Sequence, residues 1–269
     1  SDRLSATIRR YALRRESLDT MVERSALPAE AARFLRAVMQ ATTSVVVSGP
    51  PGAGKTSLLS ALIGAVPAAH CVRCCEEVRE LHVPLVHGSF YEARPPALDG
   101  TGEISLRGLV KLVLAMRPDR IVVGEVRGAE AFELTRAVNA GCGFACTVHA
   151  NSAPDALDAL VNAALMAGEN VTETVVRKVF ASAIDFVVHL DRDTAGDGPI
   201  RRRVVEILAV VPSLRDDFST QPIFVREHLG APLEWTGALP PQPVTDRSER
   251  AIGDGFDLRS VLAGRREGV

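Results

Sequence analysis

Apolar residues fall into short β-branched runs separated by stretches at helical spacing. Ser44 to Val47, Ile121 to Glu125 and Phe144 to Val148 read as buried strands, because such runs suit the interior of a parallel sheet. Cys71 to Cys75, Leu81 to Val86, Phe186 to Leu190, Arg203 to Val211 and Ile223 to Val225 are further strand expectations, with a turn over Asp191 to Gly198. Helices are predicted over Ser17 to Val22, from Pro28 through Met39, and over Ser57 to Ile63, Leu106 to Met116, Ala129 to Asn139, Ala153 to about Met166 and Thr172 to Ala183. Ser105 and Ser152 are N-cap residues, the second followed by Pro154 and Asp155 in the first turn. The stretch from Arg94-Pro95-Pro96 to Gly102 is a punctuated loop.

Strand and helix alternate, which predicts an α/β fold: a mostly parallel central sheet with helices on both faces, plus a C-terminal strand pair and appendage. The boundaries read as 1–40 for a helical linker or remnant, 41–228 for the central domain and 229–269 for a C-terminal extension. In that extension Leu233 and Trp235 are anchors, and Phe256, Leu258, Val261 and Leu262 a short docking helix. The start is arginine-rich (Arg3, Arg9, Arg10, Arg14, Arg15) and reads equally as an arriving strand or linker and as a solvated end.

Composition narrows the picture modestly. The chain has 269 residues, 46% hydrophobic and 24% charged, as in ordinary globular proteins. Its net charge of −2 gives no overall basic field for nucleic acid. No apolar run approaches the roughly 18 residues of a membrane span. The five cysteines include Cys71 and Cys74 at the spacing of a zinc half-site, with Cys142 and Cys146 as the only second half. Buried reduced thiols are the expected reading. Only three of the 31 basic residues are lysines, and one of them is Lys55.

Lys55 lies in the stretch with the most chemistry. Gly49-Pro50-Pro51-Gly52-Ala53-Gly54-Lys55-Thr56 fits the phosphate-binding pattern G-x-x-x-x-G-K-[ST], and Ser57 follows it. A strand precedes it and a helix follows, so backbone N–H groups and the helix N-terminus converge on an anion. Lys55 would reach the β- and γ-phosphates of ATP, and the Thr56 hydroxyl would sit on Mg²⁺. Three more strands end in polar devices: Glu76-Glu77, Glu125 and His149. Ligands of such sheets bind at the carboxyl ends of the strands. Glu125 and Glu76 are candidates to hold Mg²⁺, directly or through water, and to orient the attacking water; His149 is a candidate γ-phosphate sensor.

Arg117-Pro118-Asp119-Arg120-Ile121-Val122-Val123-Gly124-Glu125-Val126-Arg127-Gly128 resembles the Walker B region of the secretion ATPases of type II and type IV systems, closest to the branch that assembles tight-adherence (Flp) pili. Cys75-Glu76-Glu77-Val78-Arg79-Glu80-Leu81 resembles that family's acidic box, Arg94 through Arg107 its arginine region, and Thr147 to Ser152 its histidine box. The resemblance implies a RecA-like ATPase domain. It also implies a homohexameric ring on the cytoplasmic side of the inner membrane, working with inner-membrane platform proteins. By position, Glu76 becomes the acidic-box glutamate, Glu125 the Walker B glutamate and His149 the second histidine. Arg94, Arg107 and Arg117 become candidates to complete a site, including a neighbour's. Ala140-Gly141-Cys142 stands where members carry Thr-Gly-His, which bears on γ-phosphate sensing, and Glu77 replaces an aspartate. The family's N-terminal domain is nearly absent, so the chain reads as a fragment or as a minimal ring subunit.

The function expected from these residues is Mg²⁺-dependent ATP hydrolysis by a ring-forming motor for pilus assembly or protein secretion. Two alternatives stand beside it: a nucleotide-gated scaffold with negligible turnover, and a conjugation-type DNA or protein transport ATPase.

Overall fold

A computed structural model describes residues 16–168, 170–193, 200–212, 217–253 and 256–263. The arginine-rich start lies outside them, as do 194–198 of the expected 191–198 turn. The elements in chain order are α1 (Leu18–Glu23), α2 (Ala29–Gln40), β1 (Val45–Ser48), α3 (Lys55–Ile63), β2 (Val72–Glu76) and β3 (Gly88–Glu92). Next come α4 (Leu106–Ala115), β4 (Arg120–Val123), α5 (Glu130–Asn139), β5 (Gly143–Val148), α6 (Ala153–Leu165) and α7 (Glu173–Ala183). The last are β6 (Phe186–Asp193), β7 (Arg201–Val211), β8 (Ser219–Val225), β9 (Glu234–Trp235), α8 (Gln242–Ile252) and α9 (Leu258–Leu262).

The strands form one nine-stranded sheet in the order β3-β2-β4-β5-β1-β6-β7-β8-β9. Pairing is parallel from β3 to β6 and antiparallel from β6 to β9. The chain steps from β1 over β5 and β4 to β2, then later returns to the other flank of β1 as β6. This reversal beside β1 is where an open α/β sheet forms its binding crevice.

The twofold alternation of a strand splits the core. Val45 and Val47 face one apolar cluster, with α1, α2, α3, α8 and α9. Val46 faces the other, with α4, α5, α6 and α7. Cys74 and Cys75 likewise part to opposite faces. Among the described residues no group of three or more His, Cys, Asp or Glu side chains is placed to hold a metal ion, so the cysteines do not assemble the zinc site their spacing allows. Burial pushes the Cys142 thiol up to about 11 and the Cys75 thiol up to about 12.

One expectation is corrected, and two elements are unforeseen. Leu81 to Val86 is not a strand: Leu81 and Val83 are buried in the core of the first face, but Pro84 has no N–H to give a ladder. The edge strand is β3 instead, half-exposed along most of its length and hence without a strong apolar run. The C-terminal stretch contains an unforeseen helix, α8, started by Pro241 with proline inside the first turn. Val244, Leu258 and Leu262 from α8 and α9 enter the same cluster as α2 and β1. No helix among the described residues is long and apolar enough to cross a membrane.

Candidate active site at the carboxyl edge of the sheet

β1 is buried at all four positions and delivers the chain to the loop at Gly49. A Cβ at Gly49 would stand 2.3 Å from the Leu190 carbonyl oxygen of β6, so no side chain is tolerated there. Gly54, at φ +96°, is the N-cap of α3 and gives it no side-chain cap. The first-turn amides of α3 therefore stay available to an anion. Lys55, 7% exposed, donates from Nζ to the Gly49 oxygen at 3.0 Å and the Pro50 oxygen at 3.3 Å. Burial lowers its pKa, and the Glu125 carboxylate opposes part of that shift.

Lys55 begins a chain of polar contacts. Its Nζ lies 3.0 Å from His149 Nδ1, and His149 Nε2 lies 2.5 Å from Glu125 Oε1. The neutral imidazole with its proton on Nε2 satisfies both: Nδ1 accepts from the ammonium and Nε2–H donates to the carboxylate. The second oxygen of Glu125 accepts from Arg127 Nη2, and Arg127 Nη1 is 3.6 Å from Glu77. Glu125 holds its place because neighbouring strands fix the backbone around it. Gly124 N donates to Cys75 O at 3.0 Å, Val126 N to Thr147 O at 2.8 Å, and the Thr147 hydroxyl to Gly124 O at 2.7 Å. Glu130 closes the turn by accepting from the Arg127 and Gly128 amides at 2.7 and 2.8 Å.

Glu76 is nearly sealed, at 3% exposure. Its carboxylate accepts from the Glu80 and Leu81 amides at 3.0 and 3.1 Å. Burial raises its pKa, with those amide bonds working against the rise. It packs under Gly124, where a Cβ would come within 2.7 Å of Glu76 Cγ. The carboxylate that meets the Thr56 hydroxyl is Glu80, 3.3 Å away. Thr56, Glu80 and Glu125 offer oxygen donors, the chemistry Mg²⁺ prefers, and their small number suits an ion that takes most of its shell from phosphates and water. Ser57, in the same first turn, is half-buried.

The three arginines stand apart from this group. Arg107 Nε is 2.9 Å from Glu133, a buried carboxylate of α5 that also meets Arg136 at 3.4 Å and Lys111 at 3.6 Å. Arg117 follows α4 at φ +50°, on the amino side of β4 and so at the opposite edge of the sheet. Arg94 is exposed just past β3, on the carboxyl edge, where its Nε donates to Gly102 O at 2.7 Å. Cys142 precedes β5 and is likewise across the sheet from His149, which follows β5.

A family model described as Type II/IV secretion system protein matches residues 4–195. The chain belongs to that family. It is 39% identical over 193 residues to Rv3659c of Mycobacterium tuberculosis, covering 71% of this chain and 53% of the relative. To the type IV secretion system protein PtlH of Bordetella pertussis it is 37% identical over 187 residues, covering 65% and 52%. The chain thus spans about half the length of the curated relatives it matches. Among solved structures, the VirB11 ATPase of the Brucella suis type IV secretion system superposes with a TM-score of 0.58 at 26% identity, covering 71% of this chain and 54% of that one. The pilus retraction motor PilT superposes at 0.55 with 18% identity, a likeness of fold. The α/β fold with a mostly parallel central sheet is therefore that of the RecA-like secretion ATPases.

In this type II/IV secretion chain two side chains at the site, Glu80 inside the acidic-box stretch and His189 outside every motif, were given no role by the sequence. Glu80 is three positions past the carboxylate pair that draws attention. His189 ends the core of β6, 5% exposed, with Nδ1 2.9 Å from the Ser48 hydroxyl. Burial holds its imidazole below the usual histidine range, opposed by Asp191 and Asp155. Only the parallel register of β1 with β6, Ser48 opposite His189, brings it beside the loop.

Proposed function

We propose that this chain is the ATP-hydrolysing subunit of a type II/IV secretion motor: ATP and water give ADP and phosphate, and the free energy drives ring motion. The observation that carries the reading is the Lys55–His149–Glu125 chain at the mouth of the P-loop, 3.0 and 2.5 Å per step. In this reading the P-loop amides and Lys55 hold the β- and γ-phosphates, and Thr56 would hold Mg²⁺ with Glu80, 3.3 Å from its hydroxyl, and with Glu125 directly or through water. When bound, the ion supplies positive charge against the phosphate oxygens. Glu125 orients the attacking water and takes up its proton as the bond to phosphorus forms. His149 links that carboxylate to the lysine, so that a change at the phosphate is felt at Glu125. Glu76 acts through the 77–81 turn, which it holds by two amides and which carries Glu80.

Of the three arginines, Arg94 is the one offered to a neighbouring subunit, being exposed on the carboxyl edge. Arg107 is committed to Glu133. A homohexameric ring, peripherally associated with the cytoplasmic face of the inner membrane and its platform proteins, completes the reading. Within it, pilus assembly of the Flp type is the specific task favoured by the Walker B residues Arg117 to Gly128. A conjugation-type transport task stands as the second reading, favoured by relatives such as the conjugal transfer protein TrbB of Rhizobium radiobacter, 28% identical over 219 residues. A nucleotide-gated scaffold with negligible turnover is the reading that the altered histidine box favours, and its Ala140-Gly141-Cys142 precedes β5, across the sheet from His149.

The test is Glu125→Gln. ATP affinity should stay within about threefold of wild type while turnover falls by about 10²–10⁴. Hydrolysis at the wild-type rate would sink the assignment. Stimulation of turnover by DNA that fades with salt would move the task to nucleic-acid transport.

A further inference from the structure

The β6–β7 hairpin presses two arginines against the P-loop. The antiparallel register sets Arg192 directly opposite Arg202. Arg202 Nε donates to the Gly52 carbonyl oxygen at 2.8 Å. Its Cδ is 3.3 Å from where a Cβ on Gly54 would stand, and Arg192 Nη1 is 3.5 Å from the same point on Gly52. Both arginines are exposed, and among the described residues neither guanidinium is paired with a carboxylate. Like charges directly opposite in an antiparallel pair repel. The hairpin's own packing gives no reason for them, since Leu190 and Val204 supply its buried contacts.

A polyanion between them and the loop resolves this repulsion. The P-loop glycines that admit the Arg192 guanidinium and the Arg202 stem, Gly52 and Gly54, belong to the cradle that faces phosphate. Guanidinium is the side chain best matched to phosphate oxygens, through its planar set of N–H donors. We propose that Arg192 and Arg202 bind the phosphate chain of ATP from the hairpin side, completing within one subunit a cradle whose other walls are the P-loop amides and Lys55. The proposal rests on the ATP reading above. It gives the antiparallel half of the sheet a direct hold on the nucleotide, and it divides the pair's work. Arg202 also steadies the loop through Gly52, whereas the Arg192 guanidinium is left to the ligand.

The test uses the full chain as wild type, Arg192→Gln, Arg202→Gln, Arg192→Lys and Lys55→Ala, with Mg²⁺. Equilibrium affinity for ATP and for inorganic tripolyphosphate is measured by calorimetry at low and moderate salt. Each Gln variant should weaken both ligands about tenfold, the worth of one charge-assisted hydrogen bond. Arg192→Lys should recover most of the loss, and the salt dependence should flatten in the Gln variants. Wild-type affinity in both Gln variants would overturn the pair while leaving the ATP reading intact. So would a loss equal in Arg192→Lys and Arg192→Gln, or a loss for ATP without one for tripolyphosphate. Wild type binding ATP no better than Lys55→Ala would overturn the ATP reading, and the pair with it.

Discussion

If His149 acts on Glu125 rather than beside it, the two residues must be energetically coupled in turnover. The perturbation is a cycle of His149→Ala, Glu125→Gln and the double variant. The contact is one imidazole N–H to a carboxylate at 2.5 Å. A hydrogen bond to a charged group contributes about 1.5–3 kcal/mol. Here the side chains are 43% and 26% exposed, so solvent screening discounts it to about 1–2 kcal/mol. That corresponds to non-additivity of about 5–30-fold in the rate. The assay is single-turnover hydrolysis at saturating Mg-ATP, which separates the chemical step from binding and product release. Folding stability of each variant should stay within about 1 kcal/mol of wild type, given the exposure of the pair. Rates that multiply independently, with coupling under about twofold, would refute the claim that the histidine works through the carboxylate.

Three other outcomes are expected. Glu133→Ala should lower stability by about 2–3 kcal/mol, or about 5–10 °C in Tm, because it strips a buried carboxylate from Arg107, Lys111 and Arg136; calorimetric unfolding checks this, and a loss under 1 kcal/mol would contradict it. Glu76 has its folded pKa raised by burial, so the native state binds the extra proton and stability falls as pH rises through the window from about 4.5 upward; urea unfolding between about pH 4 and 7 should show that slope in wild type and lose it in Glu76→Gln. Cys142→His should leave turnover unchanged within about twofold, at some cost in stability from crowding a buried position; a several-fold rise would reinstate the histidine-box difference as a functional one.

The parallel core was legible in the sequence because its strands are buried on both faces and so carry unbroken β-branched runs such as Val45-Val46-Val47. Ser105 and Ser152 announced α4 and α6, and both hydroxyls accept the expected amide, from Gly108 and Asp155. β3 escaped because an edge strand needs little apolar surface, while the buried Leu81 and Val83 drew the strand expectation onto a segment that packs without pairing. α8 escaped because Gln242 to Ile252 is polar along most of its length and buries only Val244, Thr245 and Ser248. At the site, residues that follow strands came through, since position after a strand fixes an edge. Glu80 and Arg127 did not, because they depend on turn conformation. His189 and the arginine pair did not, because they depend on which strands neighbour β1. The arginines of the 94–117 region show the reverse case: similar residue type, but separate surroundings at Glu133, Gly102 and the far edge.

The most direct measurement is ATP turnover per subunit against protein concentration, with Mg²⁺, for wild type beside Lys55→Ala. The account expects a rate per subunit that climbs with concentration, as subunits complete one another's sites, and that vanishes in Lys55→Ala. Turnover in wild type no higher than in that variant would contradict the central claim that this P-loop and its Glu125–His149 pair hydrolyse ATP.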